Sequence, residues 1–513
     1  MGHSVGSLSP ALRRGFFPFV WVMLALGLHT PLLSAQEPVA PSFDAARDYI
    51  QEQMERFHIP SVAVAVALDG ELVWSEGFGW ADEAGGVRAT DRTAYSVASV
   101  TKPITATAVL RLRDRGALDL DAPANRYLDG AVIRRPDGTR SRATVRQLLT
   151  HTAGLPLHHH FFYADDGLEP PPMPETIARY GVEALPPGEA HTYANLGYGI
   201  LEYLASRTAE LEFSELLEDE VFRPLGMTES WVGVPPEGAA AVAQRYGEDG
   251  LPLPDYDFDH RGASAVYSSA RDLLRFGLHH LGRIQDDTDP ALPDSTRVEM
   301  QRSWTPREGR GRAYGLGWAI VEDDGGYRRV EHTGGMPGVS TALRLYPERE
   351  AVVVVLSNSS NPATASIADV LAGTVLPNYL EERRRAAQAA PTVLLMSPSV
   401  LAGLWEGELH TWEGPLRLRL TISEDGTARL QLNPDGRALP VEPLQMRDGV
   451  LVGRVPLTIP TPDALRRPHG VHLQLWQRDE ELVGFASALG WGGRNHFALS
   501  SPLHLRAVPD GKR

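Results

Sequence analysis

In the first part of this chain, strand-like segments lie on either side of a long helical stretch. That arrangement limits the folds open to it. Residues 61–68 and 71–77 are apolar, β-rich runs joined at Asp69-Gly70, a pair that favours a tight hairpin. Far along the chain come four more such runs, at 316–321, 327–332, 340–346 and 351–357, the last two joined by Pro347-Glu348-Arg349-Glu350. Helical spacing covers 43–57 and dominates from Lys102 to about Leu281. Strands from both ends, with helices between, predict one antiparallel sheet covered by helices, an α/β (α+β) domain.

The texture changes beyond about Pro391. Leu416, Leu418, Leu420 and Ile422 alternate with polar residues, Asp425-Gly426 turns the chain, and Ala428, Leu430 and Leu432 alternate back. Short strands at regular spacing predict a small C-terminal all-β barrel or sandwich. Leu401-Ala402-Gly403-Leu404-Trp405-Glu406-Gly407 resembles the Gly-x-Trp opening of lipocalin-like barrels. The expected division is a signal peptide at 1–35, a first domain at 36–390, and the barrel at 391–513. Ala390-Pro391 is the junction.

In the first 35 residues, Arg13-Arg14 precedes an apolar stretch from 16 to 28, then Pro31 and the small residues Ser34-Ala35. The stretch is too short to span a bilayer and fits a cleavable export signal, with a twin-arginine flavour. The expected location is the periplasm or outside the cell, with no stable membrane insertion after cleavage. Cysteine is absent, which excludes disulfides, a lipid-bearing cysteine and a thiolate metal site. Net charge is −16, and the segment after residue 35 carries two more negative charges than that. Nucleic acid is therefore excluded as a partner.

Among 49 basic residues only two are lysines, Lys102 and the penultimate Lys512. A guanidinium stays protonated, whereas a buried ammonium can lose its proton, so a retained lysine suggests proton transfer. Lys102 stands three residues after Ser99 in Ser99-Val100-Thr101-Lys102. A helix running from Ser99 to about Arg113 puts both side chains on one face, and Pro103 is tolerated in its first turn. A serine hydroxyl needs such a base to act as a nucleophile. A second group is Tyr193-Ala194-Asn195: a phenol that can relay a proton near an ammonium, and a carboxamide able to orient the lysine or a substrate amide. A third is His332-Thr333-Gly334-Gly335 at a predicted strand end, where glycine lets a substrate approach and the amides of Gly335 and Ser99 can form an oxyanion hole.

In the order Ser-x-x-Lys, Tyr-x-Asn, His-Thr-Gly, the chain resembles the serine β-lactamase and penicillin-binding-protein superfamily, on the class C-like branch with family VIII esterases and D-aminopeptidases. Leu148–Leu155, Pro224-Leu225-Gly226-Met227-Thr228, 267–273 and Tyr314-Gly315-Leu316-Gly317-Trp318 add to the likeness, which covers about 43–385. The resemblance implies a β-lactamase/transpeptidase-like domain and an acyl-enzyme on Ser99, with Lys102 and Tyr193 sharing the base role. It implies substrate and oxyanion contacts at Asn195, His332, Thr333, Gly334 and Gly335, no cofactor and no metal. β-Lactamases and DD-peptidases usually carry Lys-Thr-Gly at the third motif. Histidine here removes a fixed cation and favours ester, amide or peptide substrates without a carboxylate at that point. The alternatives are a D-stereospecific aminopeptidase or amidase, a β-lactamase or DD-peptidase, and a non-catalytic scaffold of the same fold. The oligomeric state and the barrel's role are open.

Other residues are read more plainly. His158-His159-His160 belongs to a loop near the cleft, facing substrate or serving structure rather than metal. His151 supports a loop, Asp272 caps a helix, and Glu215–Glu220 forms a solvated helix face.

Overall fold

The computed structural model describes residues 41–509, apart from 237–238, 240, 285–291, 307–310, 390–396, 434–435, 448 and 491. The expected export signal and the Ala390-Pro391 junction lie outside the described residues. From Pro41 onward the chain forms one compact unit built around two large antiparallel sheets.

The strands of these sheets are numbered in chain order. The first sheet contains β1 (Ser61–Leu68), β2 (Glu71–Asp82), β3 (Val87–Arg88), β4 (Arg312–Tyr314), β5 (Ala319–Val321), β6 (Arg329–Met336), β7 (Val339–Tyr346) and β8 (Ala351–Ser357). Its order is β3-β2-β1-β8-β7-β6-β5-β4, so β1 pairs with β8 across the sequence, Val62 opposite Ser357 and Ala67 opposite Val352. Both faces are buried, which explains the unbroken Ser-Val-Ala-Val-Ala-Val-Ala-Leu run of β1. Val62, Val64 and Val66 face helices α1 (Asp44–Phe57) and α6 (Ala363–Val375), with Ile50 and Leu371 in the same cluster. Ala63, Ala65 and Ala67 face the helical half of the domain. A small side chain on that face lets helix α5 (Ala270–His280) pack closely against the sheet.

At the centre of the helical half is α2 (Thr101–Asp114), buried along every residue from Thr101 to Leu112. Its polar side chains are satisfied internally: Thr105 Oγ1 donates to Gly262 O at 2.7 Å, and Thr107 Oγ1 to Pro103 O at 2.8 Å. Helix α3 (Asn195–Ala209) and the single turn α4 (Arg261–Ser264) pack against it. Glu220, expected on a solvated face, is buried instead. The Arg111 Nε donates to its Oε2 at 2.6 Å and Arg115 covers its other oxygen. Glu215, Glu218 and Asp219 are exposed as expected.

The second sheet is made of β9 (Gly403–Thr411), β10 (Gly414–Ile422), β11 (Ala428–Leu432), β12 (Leu439–Pro440), β13 (Leu444–Arg447), β14 (Val450–Val455), β15 (Gly470–Arg478), β16 (Glu481–Gly490) and β17 (Phe497–Ala507). The order β12-β11-β10-β9-β17-β16-β15-β14-β13 places the chain's last strand at the centre. Residues 439–444 run from one edge to the other: Val441 N donates to Ala428 O at 2.9 Å and Glu442 N to Arg454 O at 2.7 Å. The sheet therefore curls into a barrel-like shell around Leu418, Leu420, Leu430, Leu473, Leu475 and Leu482, all buried. Among the described residues no helix is long and apolar enough to cross a membrane.

Candidate active site

Three segments, distant in sequence, meet where α2 begins. The helix starts at Thr101 rather than at Ser99. Ser99 sits in a single 3-10 turn (Ala98–Val100) just ahead of it, and Pro103 falls in the first helical turn. Ala98 has φ 48°, a left-handed conformation that costs a residue with a Cβ about 1–3 kcal/mol. The strained residue turns the chain so that Ser99 is partly exposed while both neighbours are buried.

Lys102 Nζ stands 3.1 Å from Ser99 Oγ and donates to Ala263 O at 3.1 Å. The lysine is fully buried, with the Tyr193 ring 4.8 Å and the Tyr198 ring 5.7 Å from Nζ. Burial holds its pKa well below the usual lysine value. Tyr193 lies beside the pair. Desolvation raises its phenol above the usual value and outweighs the lowering influence of Ser99.

Asn195 opens α3, with its Nδ2 donating to His158 O at 2.9 Å. Its Oδ1 is buried without a protein partner, leaving an acceptor for a donor from outside. Lys102 takes its orienting carbonyl from Ala263 of α4. Sequence reasoning missed that group, because a backbone carbonyl on a distant turn has no residue signature. His151 secures the same segment: its Nδ1 accepts from Ala194 N at 3.2 Å, its carbonyl accepts from Thr192 N at 2.8 Å, and its ring lies 4.3 Å from that of Tyr193.

The third motif is not a strand end. β6 continues through His332, Thr333, Gly334 and Gly335 to Met336, and the turn follows at Pro337-Gly338. Gly334 is required by close approach: a Cβ there would lie 2.3 Å from both Thr341 Oγ1 and Val97 O, and 3.0 Å from Ala98 Cβ. The glycine thus lets β6 press against the turn that carries Ser99. At Gly335 an added Cβ meets nothing within 4 Å.

His332 is buried, and its Nδ1 donates to Thr333 O at 2.8 Å. That fixes the tautomer, so Nε2 accepts from Tyr314 Oη at 3.0 Å. Desolvation, reinforced by Lys102, pushes its pKa down to about 3, and the imidazole is neutral at ordinary pH. Beside it is a cavity of about 210 Å³ lined by His191, Tyr193, Thr305, Arg312, Tyr314 and Thr333, among others. Arg312 went unnoticed in the sequence, and Tyr314 is read there only as part of the tract that adds to the family likeness. The Arg312 guanidinium donates to Glu331 Oε1 at 2.6 Å, while Glu331 is also held by Arg329 and Arg344.

The three adjacent histidines separate. His158 Nε2 donates to Asp259 Oδ2 at 2.9 Å, and His260 Nδ1 donates to Asp259 Oδ1 at 2.7 Å. One donor atom from each of these three residues lies within 4.8 Å of the others, a spacing that could hold an ion. Both carboxylate oxygens accept from ring N–H groups, while His158 Nδ1 is buried with no hydrogen-bond partner among the described residues. Asp272 is not a cap. Ser269 caps α5 by accepting from Asp272 N, and the Asp272 carboxylate accepts from Glu229 N and Ser230 Oγ at 2.7 and 2.8 Å.

A serine within hydrogen-bonding reach of a desolvated lysine, on this mixed fold, defines a serine hydrolase of the β-lactamase-related class. The chain belongs to the Beta-lactamase family, whose sequence model matches residues 46–374. It is 29% identical to penicillin-binding protein 4 of Amycolatopsis lactamdurans, over 68% of this chain and 94% of that one. It is 25% identical to the unguisins hydrolase ungD' of Aspergillus campestris, over 66% of this chain but only 64% of that protein's length. Among solved structures, SurE superposes with a TM-score of 0.62 at 24% identity, covering 91% of this chain and 98% of that one, so the fold extends through the C-terminal sheet. The D-alanine carboxypeptidase AmpC of Burkholderia cenocepacia superposes with a TM-score of 0.53 at 25% identity, over 65% of this chain and all of that one.

Proposed function

We propose that this protein hydrolyses an ester, amide or peptide bond through an acyl-enzyme on Ser99, with neutral Lys102 as the base that activates the serine. The observation that carries the reading is the 3.1 Å approach of the buried Nζ to Ser99 Oγ, with no carboxylate among the described residues beside it to hold its proton. Ser99 Oγ attacks the carbonyl carbon as its proton passes to Nζ. The oxyanion is received by the amides of Ser99 and Gly335. Tyr193, kept protonated by burial, passes its proton to the leaving group and is reprotonated from Lys102. Water then releases the acyl group by the reverse transfers. The free Oδ1 of Asn195 accepts from an N–H of the substrate.

A neutral His332 supplies no charge for a carboxylate, and Arg312 is engaged by Glu331. The substrate in this reading is uncharged at that point: a simple ester, an aminoacyl amide or an internal peptide bond. The relatives' names, a penicillin-binding protein, a hydrolase and a D-alanine carboxypeptidase, support acyl transfer to water, and the last favours D-configured peptides as the second reading. Export rests on Arg13-Arg14 and the apolar stretch that follows, and cell fractionation tests it.

The test is a panel on one purified sample: short-chain p-nitrophenyl esters, D- and L-aminoacyl amides, and a cephalosporin. Turnover of the neutral substrates, lost in Ser99→Ala, is expected. Rapid cephalosporin turnover with slow ester and amide turnover would overturn the specificity.

A further inference from the structure

β17 is central in the second sheet, but only its later half is paired on both sides. β9 pairs with Leu503–Ala507, while Phe497 to Ser501 have a partner in the sheet only on the β16 side. An unpaired strand flank presents N–H and C=O groups that need partners. Here they come from the catalytic domain. His159 N donates to Ala498 O, and Ala498 N to His159 O, both at 2.9 Å. The Ser500 hydroxyl donates to Leu157 O, and Ser487 Oγ, 2.6 Å away, donates to it in turn. The ring of His496 stacks on that of His159 at 4.8 Å.

Residue 158 lies between these two contacts, and its carbonyl is the one that receives Asn195 Nδ2. Its side chain is fixed from the other side by Asp259, two residues before the α4 turn whose Ala263 carbonyl holds Lys102. Other bonds from the barrel land on the segment that follows, between Asp165 and Glu189. Asp463 accepts from Tyr180 Oη at 2.7 Å and from Arg179 at 2.9 Å, Arg494 donates to Asp165 and Asp166, and Arg478 donates to Glu189 at 3.0 Å.

We infer that the C-terminal barrel is a positioning element of the active site: through Ser500 and Ala498 it fixes residues 157–159, and so sets the His158 carbonyl that orients Asn195. Asn195 has one internal anchor for its carboxamide, and a shift of that anchor turns Oδ1 away from the substrate. Small displacements of this kind cost rate without disturbing the nucleophile–base pair. Ser500 acts through Asn195 and does not touch the reacting atoms.

The experiment uses the full chain and rests on Ser99 being the nucleophile. Ser500→Thr keeps the hydroxyl and Ser500→Val has the same shape without it; Ser500→Ala serves as a third variant. The rate of fluorophosphonate labelling at Ser99, kcat and KM for an aminoacyl amide that offers Asn195 an N–H, and the thermal midpoint are compared, alone and with Asn195→Ala. Expected are amide kcat/KM of the valine variant about tenfold below that of the threonine variant, thermal midpoints of the two within a few degrees, and no further loss from Ser500→Val once Asn195 is alanine. Equal rates for the two variants, or a valine loss that persists undiminished beside Asn195→Ala, would overturn the inference. A wild-type protein that never labels would instead refute the nucleophile assignment.

Discussion

Gly334 lies against the carbonyl of Val97, so close that a methyl group added to it would stand 2.3 Å from that oxygen. Through this contact the sheet and the catalytic turn locate each other. The third motif is pressed onto the residues that set Ser99, and Thr341 Oγ1 donates to the same carbonyl at 3.0 Å. Gly334→Ala is expected to destabilise the protein by about 1–3 kcal/mol and to slow ester hydrolysis more than the loss of stability explains. Gly335→Ala, facing open space, should leave the thermal midpoint nearly unchanged. Differential scanning calorimetry of both variants checks the contrast.

Lys102 is required as an amine that can be uncharged, not as a cation. Lys102→Arg keeps the charge and cannot act as a base at neutral pH, and Lys102→Met removes both. Both variants should lose about 10²–10⁴-fold in kcat/KM, arginine faring no better than methionine. For the wild type, kcat/KM should rise with pH through one ionisation placed well below the ordinary lysine value. Arginine at half of wild-type activity would contradict the base assignment.

Acid should destabilise the fold. Burial pushes His332 down to about 3 and His279 to about 4, whereas both would titrate near 6.5 in the unfolded chain. Between these values the unfolded state binds more protons. Stability is therefore full above about pH 6.5 and is lost as pH falls towards 3–4, at about 1.4 kcal/mol per pH unit for each such group. Urea midpoints at pH 8, 7, 6 and 5 should be level for the first two and then decline. His332→Gln should lessen that slope by one group.

Removing metal should change nothing. The Asp259 carboxylate accepts from the rings of His158 and His260, and the proposed chemistry rests on protein side chains and backbone amides. Dialysis against a strong chelator is expected to leave ester turnover and the thermal midpoint unaltered. A loss restored by added zinc would mean that the triad is a metal centre.

Much of the scaffold could be read from residue pattern, because it is local. The alternating Val and Ala of 61–68 and the apolar run of 351–357 form strands with those limits, and Asp69-Gly70 is the turn between β1 and β2. The site's side chains could be found because Ser99, Lys102, Tyr193 and Asn195 carry their chemistry in their identity. What sequence could not show depends on contacts between distant backbones. The Ala263 carbonyl, the His158 carbonyl and the Val97 oxygen beneath Gly334 belong to residues of no chemical distinction. Glu220 read as surface because its partners, Arg111 on α2 and Arg115 just past its end, are distant in sequence. The third motif read as a strand end because glycine pairs favour turns, whereas here Gly334 permits close packing within a strand.

The central claim is that Ser99, activated by Lys102, becomes acylated. Intact-protein mass spectrometry after brief exposure to a fluorophosphonate, followed by peptide mapping, tests it directly. The expected result is one adduct on the peptide carrying Ser99, absent in Ser99→Ala and formed far more slowly in Lys102→Met. An unlabelled wild-type protein, or an adduct on another residue that persists in Ser99→Ala, would contradict it.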